Sequence, residues 1–203
     1  MDEQDVIRAA EAIRGGGSVI LPTDTVYGLC ASPYRAEPVE RLYRLKGREP
    51  QQPTAIIASD IDMLFECVPE LRGRSGLILR SLLPGPYTLI LPNPARRYRW
   101  LTGTTPDAIG VRVPELPDVS ARVLSLVGAV AATSANLPGG PDPQRLEDVP
   151  VELTAKVAVA LDGGALPGSP STVLDFTAEQ PRVVREGAVP ADAALARVAA
   201  VLS

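Results

Sequence analysis

Histidine is absent from this chain of 203 residues. No imidazole can therefore act as a general base, and a histidine-ligated zinc site is excluded. The two cysteines, Cys30 and Cys67, form neither a disulfide framework nor a metal-ligand spacing, which argues against a disulfide-dependent secreted domain. Aromatic residues make up 4% of the chain, too few for a base-stacking platform. Long apolar runs are missing as well. Residues 127–132 are typical and fall far below the roughly 20 needed to span a bilayer. The first residues are acidic and the first apolar stretch is short and interrupted, so no secretory leader is read and a cytoplasmic location is expected. Net charge is -4, with 20 basic against 24 acidic residues. An anion site must therefore be local, and bulk polyanion binding is not favoured.

What is present reads as one α/β domain over residues 1–203, without repeats or a linker. Residues 2–14 carry Val6, Ala9 or Ala10, and Ile13 at helical spacing, acidic residues first and Arg14 last. The triplet Gly15-Gly16-Gly17 then reads as a helix stop; it precedes a strand instead of following one and lacks a Lys-Ser/Thr ending, so a phosphate cradle is the weaker reading. Residues 18–21 read as a short buried strand that empties into the polar turn PTDTVYGL. A helix over 36–46 ends in Arg44, Lys46 and Arg48, cations that suit either the helix dipole or an anionic ligand. Strands are expected at 54–58, 87–91, 109–113, 129–132, 156–161, 173–176 and 183–185, and helices from Asp60, over 75–83, over 119–127 and over 190–202. The polar stretch 93–105, with Arg96, Arg97, Arg99 and Trp100, reads as a loop or lid, or as a patch for nucleic-acid phosphates. Arg112, inside an apolar strand, points either to solvent or into a site.

Polar side chains gather at strand ends: Thr23 and Thr25 in the first cluster, Thr133, Ser134 and Asn136 in the second, Ser171 and Thr172 in the third. Lys46, Arg48, Arg112 and Arg185 add four cations among apolar segments. A phosphate chain or carboxylate, which arginine holds bidentately, is the common ligand such residues suit. With no histidine and no activated thiol, catalysis by positioning and charge neutralisation is expected, the mode of phosphoryl and nucleotidyl transfer.

The strings PTDTVYGL, KGR at 46–48, PGPYTLIL, VRVP around Arg112, TSAN at 133–136, STV at 171–173 and VVREGAV at 183–189 occur in the order found in one family. Across about residues 12–189 the chain resembles the YrdC family of threonylcarbamoyl-AMP synthases. The resemblance implies a single-domain YrdC-like α/β fold, a twisted mixed sheet with surrounding helices and a deep cationic cavity. It implies condensation of L-threonine, bicarbonate and ATP to threonylcarbamoyl-AMP and pyrophosphate. The product would pass to separate transferase proteins that modify tRNA adenosine 37. By motif position, Lys46 and Arg48 are the implied catalytic cations at the triphosphate. Gln52, Ser134, Asn136 and Arg185 are nucleotide-side residues, Thr25 and Arg112 hold threonine, and Thr23, Tyr27, Thr133, Ser171 and Thr172 support them. Mg2+ would be held mainly by ATP phosphates and water, without a protein cage.

The chain departs from the family pattern just after Arg48, where Glu49, Gln52, Thr54 and Ile57 replace the usual residues, and at Ala108, where a hydroxyl is common. The nucleotide side is thereby better supported than the threonine side. Two rival readings remain: an RNA-binding module using the cavity or the Arg96–Arg99 loop, and a diverged nucleotidyl- or carbamoyl-transferring relative with another acceptor.

Overall fold

The computed structural model describes residues 3–49 and 51–202. Helix α1 (Glu3–Arg14) buries Val6, Ala9, Ala10 and Ile13 and ends at Gly16, whose φ of 82° is open to glycine; Asp2, the expected first residue of this helix, lies outside the described residues. Strands β1 (Val19–Pro22) and β2 (Tyr27–Ala31) follow, then α2 (Ala36–Lys46), β3 (Ala55–Ala58), α3 (Ile61–Cys67) and α4 (Arg74–Leu82). Asp60, from which this helix is expected, caps α3, its side chain accepting from Met63 N. After α4 come β4 (Tyr87–Pro92), β5 (Ala108–Arg112), α5 (Asp118–Val127), β6 (Ala129–Ser134), the single turn α6 (Val151–Thr154), β7 (Val159–Ala160), β8 (Thr172–Asp175), β9 (Arg182–Arg185) and α7 (Ala191–Leu202).

The strands form one mixed sheet in the order β7-β1-β2-β6-β3-β5-β4-β8-β9. Three pairs are parallel (β1 with β7, β3 with β5, β4 with β8) and the others antiparallel. Strand pleating sends alternate side chains to opposite faces. On one face Ile20, Leu29, Ile56, Leu89, Val111 and Leu174 pack beneath α2, α3, α4 and α7. On the other, Val19, Leu21, Cys30, Ile57 and Val130 meet α1 and α5. A side chain buried as completely as Leu89, at 0% exposure, contributes about 2–3 kcal/mol by leaving water.

Two expectations change. The polar turn after β1 is present, but a strand absent from the sequence reading follows it: β1 and β2 pair antiparallel from Val19 with Cys30 to Pro22 with Tyr27, so PTDTVYGL is a hairpin whose tip is residues 23–26. The expected strand at 156–161 shrinks to Val159–Ala160, because Lys156 N and Val157 N still bond back to Leu153 O as α6 unwinds. The stretch 93–105 is a pinned loop. Buried Asn93 bonds to Arg97 and to Pro106 O, Arg96 pairs with Asp107 and Arg97 with Glu70, and Trp100 Nε1 donates to Pro33 O.

Candidate functional site

The face shared with α1 and α5 is only partly covered by them; where they stop, the sheet lies open as a cavity of about 420 Å3. That size suits a nucleotide-scale ligand. Its floor follows the pleat. Gly28, Ala132, Ala55, Ile57, Ala108, Gly110, Thr88, Ile90 and Val173 face the cavity, while their chain neighbours Leu29, Ile56, Ile109, Val111, Leu89 and Leu174 face the opposite core. Small side chains at most of these positions leave the volume empty.

One wall is the hairpin tip. Thr23 Oγ1 accepts from Thr25 N and Val26 N, each at 3.2 Å, and donates to Val26 O at 2.7 Å, so this hydroxyl closes the turn. Thr25 is thereby aimed into the cavity, 0% exposed, with its Oγ1 3.4 Å from Arg112 Nη2. Arg112, at the end of β5, donates from the same nitrogen to Asp24 Oδ1 at 2.7 Å. It therefore reaches a site. The pair is buried, the two side chains 11% and 8% exposed. Burial raises the Asp24 carboxyl above its ordinary value despite the opposing pull of Arg112, and burial lowers Arg112 despite Asp24.

The opposite wall joins the end of α2 to the end of β6. Gly47, at φ 67°, turns the chain with its N–H on the last helical carbonyls, so those carbonyls do not need a lysine. Lys46 Nζ instead reaches β6, donating to Ser134 O at 2.7 Å and to Asn136 Oδ1, which also accepts from Ser134 Oγ at 2.7 Å. Burial, and then the charge of Arg48, push the Lys46 ammonium down from 10.5 to about 8. Arg48 donates to Pro53 O at 2.6 Å and to Thr133 Oγ1 at 3.4 Å, and its buried Nε has no partner among the described residues.

A third wall comes from β8 and β9. Arg185 donates through Nε and Nη2 to Ser171 O at 3.2 and 2.8 Å and to Ser171 Oγ at 3.2 Å, and Ser171 Oγ lies 2.8 Å from Thr88 Oγ1. Among the lining residues are three arginines, Arg48, Arg112 and Arg185, and one carboxylate, Asp142.

Of the residues expected from sequence, Thr23, Thr25, Arg48, Arg112, Thr133, Ser134, Ser171 and Arg185 line one cavity. Lys46 and Asn136 stand directly behind Ser134, outside the lining. Gln52 is exposed and off the wall. Tyr27 faces away: its hydroxyl donates to Asp162 Oδ1 or Gly164 O and accepts from Gly163 N, tying down the segment whose Gly168 N bonds to Thr25 O. Thr172 also faces away, its hydroxyl holding Gly187 N, Val189 N and Val189 O. Both act on the framework. Asp24, Thr88, Thr105 and Asp142 were not foreseen as site residues. For Thr88 a signal existed, a lone hydroxyl alternating with Tyr87 and Leu89 in an apolar strand.

Comparison with known proteins bears on this geometry. The Sua5/YciO/YrdC family model, which carries the description "telomere recombination", matches residues 11–187. The threonylcarbamoyl-AMP synthase of Pyrococcus abyssi is 32% identical over 192 residues, covering 94% of this chain and 56% of that protein. Those of Bacillus subtilis and Xanthomonas axonopodis pv. citri are 30% and 33% identical, over 93% and 88% of this chain and 55% and 97% of theirs. The chain thus spans little more than half the length of two of these relatives. The crystal structure of P. abyssi Sua5 complexed with L-threonine superposes with a TM-score of 0.88 at 32% identity, covering 98% of this chain and 58% of that one. Escherichia coli YciO superposes at 0.78 and 28% identity, over 93% and 92%. With the family model matched over residues 11–187 and a sheet that superposes on both solved relatives, the chain belongs to the Sua5/YciO/YrdC family.

Proposed function

We propose that this protein is a threonylcarbamoyl-AMP synthase. One observation carries the reading: residues suited to an amino acid, Thr25 and Arg112, share a single cavity with residues suited to a nucleotide, Arg48, Ser134 and Arg185. In the proposed reaction the amino group of L-threonine takes up the carbon of bicarbonate to form a carbamate, with loss of water. A carbamate oxygen then attacks the α-phosphorus of ATP, and the bond to the bridging oxygen breaks to release pyrophosphate. Both reactants are anions, so the site's task is to hold them in line against their repulsion. Arg112 takes the amino acid carboxylate and Thr25 its polar groups. Arg48, with a buried Nε left for an acceptor, and Lys46, behind Ser134, neutralise the triphosphate. Ser134, Asn136 and Arg185 hold the nucleotide, and exposed Gln52 is assigned to it as an outer contact. Thr23, Tyr27, Thr133, Ser171 and Thr172 keep these groups in place.

The reading includes Mg2+. Among the described residues no three His, Cys, Asp or Glu side chains gather around one point, and the cavity wall supplies the single carboxylate Asp142. That donor set fits an ion held by ATP phosphates and water beside Asp142, where it would neutralise phosphate charge. The same proposal has the product pass to transferase proteins acting on tRNA in the cytoplasm. No helix among the described residues is long and apolar enough to cross a membrane. Pyrophosphate release from ATP tests the assignment. It should require both L-threonine and bicarbonate; release indifferent to threonine overturns the substrate, and a screen of other amino acids would then identify the acceptor of a diverged relative.

A further inference from the structure

The cation assigned to the amino acid carboxylate is not free to receive it. Arg112 already has a counterion, Asp24, at 2.7 Å, and both side chains are about nine-tenths buried. The pairing is half made. Nη2 meets Oδ1, while Arg112 Nε and Asp24 Oδ2, both shut off from solvent, have no partner among the described residues. The surroundings do not tilt the balance. Arg185 lies within electrostatic reach of Arg112 and Glu115 within reach of Asp24, one charge of each sign, and the nearby Cys30 thiol, pushed up to about 12 by burial, is neutral. The guanidinium that a ligand meets in the cavity is therefore already balanced by Asp24, which is not itself a lining residue, unlike Arg48, whose side chain among the described residues bonds only neutral oxygens of Pro53 and Thr133.

Resting on the synthase reading, we infer that Asp24 is the specificity-determining residue of the Arg112 subsite: by neutralising the guanidinium it makes the subsite select a zwitterionic α-amino acid over simple carboxylates and phosphate. The physics is that of charge counting in a low-dielectric site. A zwitterion adds one charge of each sign to a neutral pair. A simple carboxylate instead adds a second anion around one guanidinium, and the like-charge repulsion between it and Asp24 is poorly screened there. Discrimination thus comes from a repulsive element as well as an attractive one. It also keeps ATP phosphates from occupying Arg112 and directs them to Arg48.

Equilibrium binding of L-threonine and of 3-hydroxybutanoate, which is threonine without its amino group, tests this in the presence of ATP and absence of bicarbonate. Wild-type protein should bind L-threonine at least about tenfold more tightly than 3-hydroxybutanoate, and in Asp24→Asn that preference should shrink by about tenfold through tighter binding of the simple carboxylate. A preference unchanged within about twofold in Asp24→Asn overturns the inference. Should Asp24→Asn fail to fold, equal wild-type affinities for the two ligands overturn it equally. Wild-type protein that binds ATP but no α-amino acid overturns the synthase reading itself and this inference with it, whereas threonine binding with an unaltered ratio overturns this inference alone.

Discussion

Lys46 and Arg48 are neighbours at one helix end but make different contacts. Lys46 is bonded through Nζ to Ser134 and Asn136, so its charge is fixed in place, and its depressed ammonium makes that charge pH-dependent. If that charge supports the triphosphate, ATP affinity should hold below the Lys46 value of about 8 and fall as pH rises through it, because the native state then releases the proton. Titrating ATP affinity between about pH 7 and about pH 9.5 checks this, and Lys46→Arg, charged throughout that range, should flatten the profile. A flat wild-type profile would contradict the role. Among the described residues, Arg48 bonds only to Pro53 O and Thr133 Oγ1. Arg48→Ala should therefore cost about 1 kcal/mol or less of stability in urea unfolding while weakening ATP binding by about tenfold or more. Unchanged ATP affinity would reduce Arg48 to a helix-end cation. Which of these cations line the cavity was not legible in their spacing. Spacing put Lys46, Arg48 and Arg185 near element ends and Arg112 inside a strand, but dipole partner and ligand partner look alike until Gly47 is seen to cap α2 and Arg112 to meet Asp24.

At the scale of elements, alternation in the strands was readable and pairing was not. The runs at β3, β4, β5 and β6 announced themselves by apolar, β-branched or small residues, and their ends fell within a few residues of expectation. The hairpin of β1 and β2 was missed because Thr23, Asp24 and Thr25 read as a loop, and because Tyr27–Ala31 has no polar alternation: both of its faces are covered. That hairpin brings Thr25 and Asp24 across to Arg112, 87 and 88 residues away in the chain. The floor of the cavity depends on the same pleat. A Cβ at Gly110 would meet Ala55 Cα and Cβ at 3.6 Å, an ordinary contact, and its φ does not demand glycine. The backbone therefore accepts a side chain there and the cavity does not. Gly110→Val should fold with a stability within about 1 kcal/mol of wild type, since valine suits a strand, yet lose ATP or threonine binding by about tenfold or more. Retained binding would show that ligands do not approach the floor.

For the whole molecule, composition and placement act at different levels. A net charge of -4 disfavours bulk polyanion binding, while Arg48, Arg112 and Arg185 converge on one cavity of about 420 Å3. The cations of the loop at Arg96 and Arg97 are occupied by Asp107 and Glu70, so the surface offers no comparable concentration there. The ordered motifs made the family legible, because they are the strand ends that this sheet folds together. The departures at Ile57 and Ala108 line the cavity too, so the amino acid side is where the chemistry needs direct proof. The decisive measurement is the fate of radiolabelled bicarbonate incubated with the protein, ATP and L-threonine. Label should appear in a product containing both threonine and AMP, in step with pyrophosphate. Pyrophosphate formed without labelled adenylate, or label incorporated without L-threonine, would contradict the account.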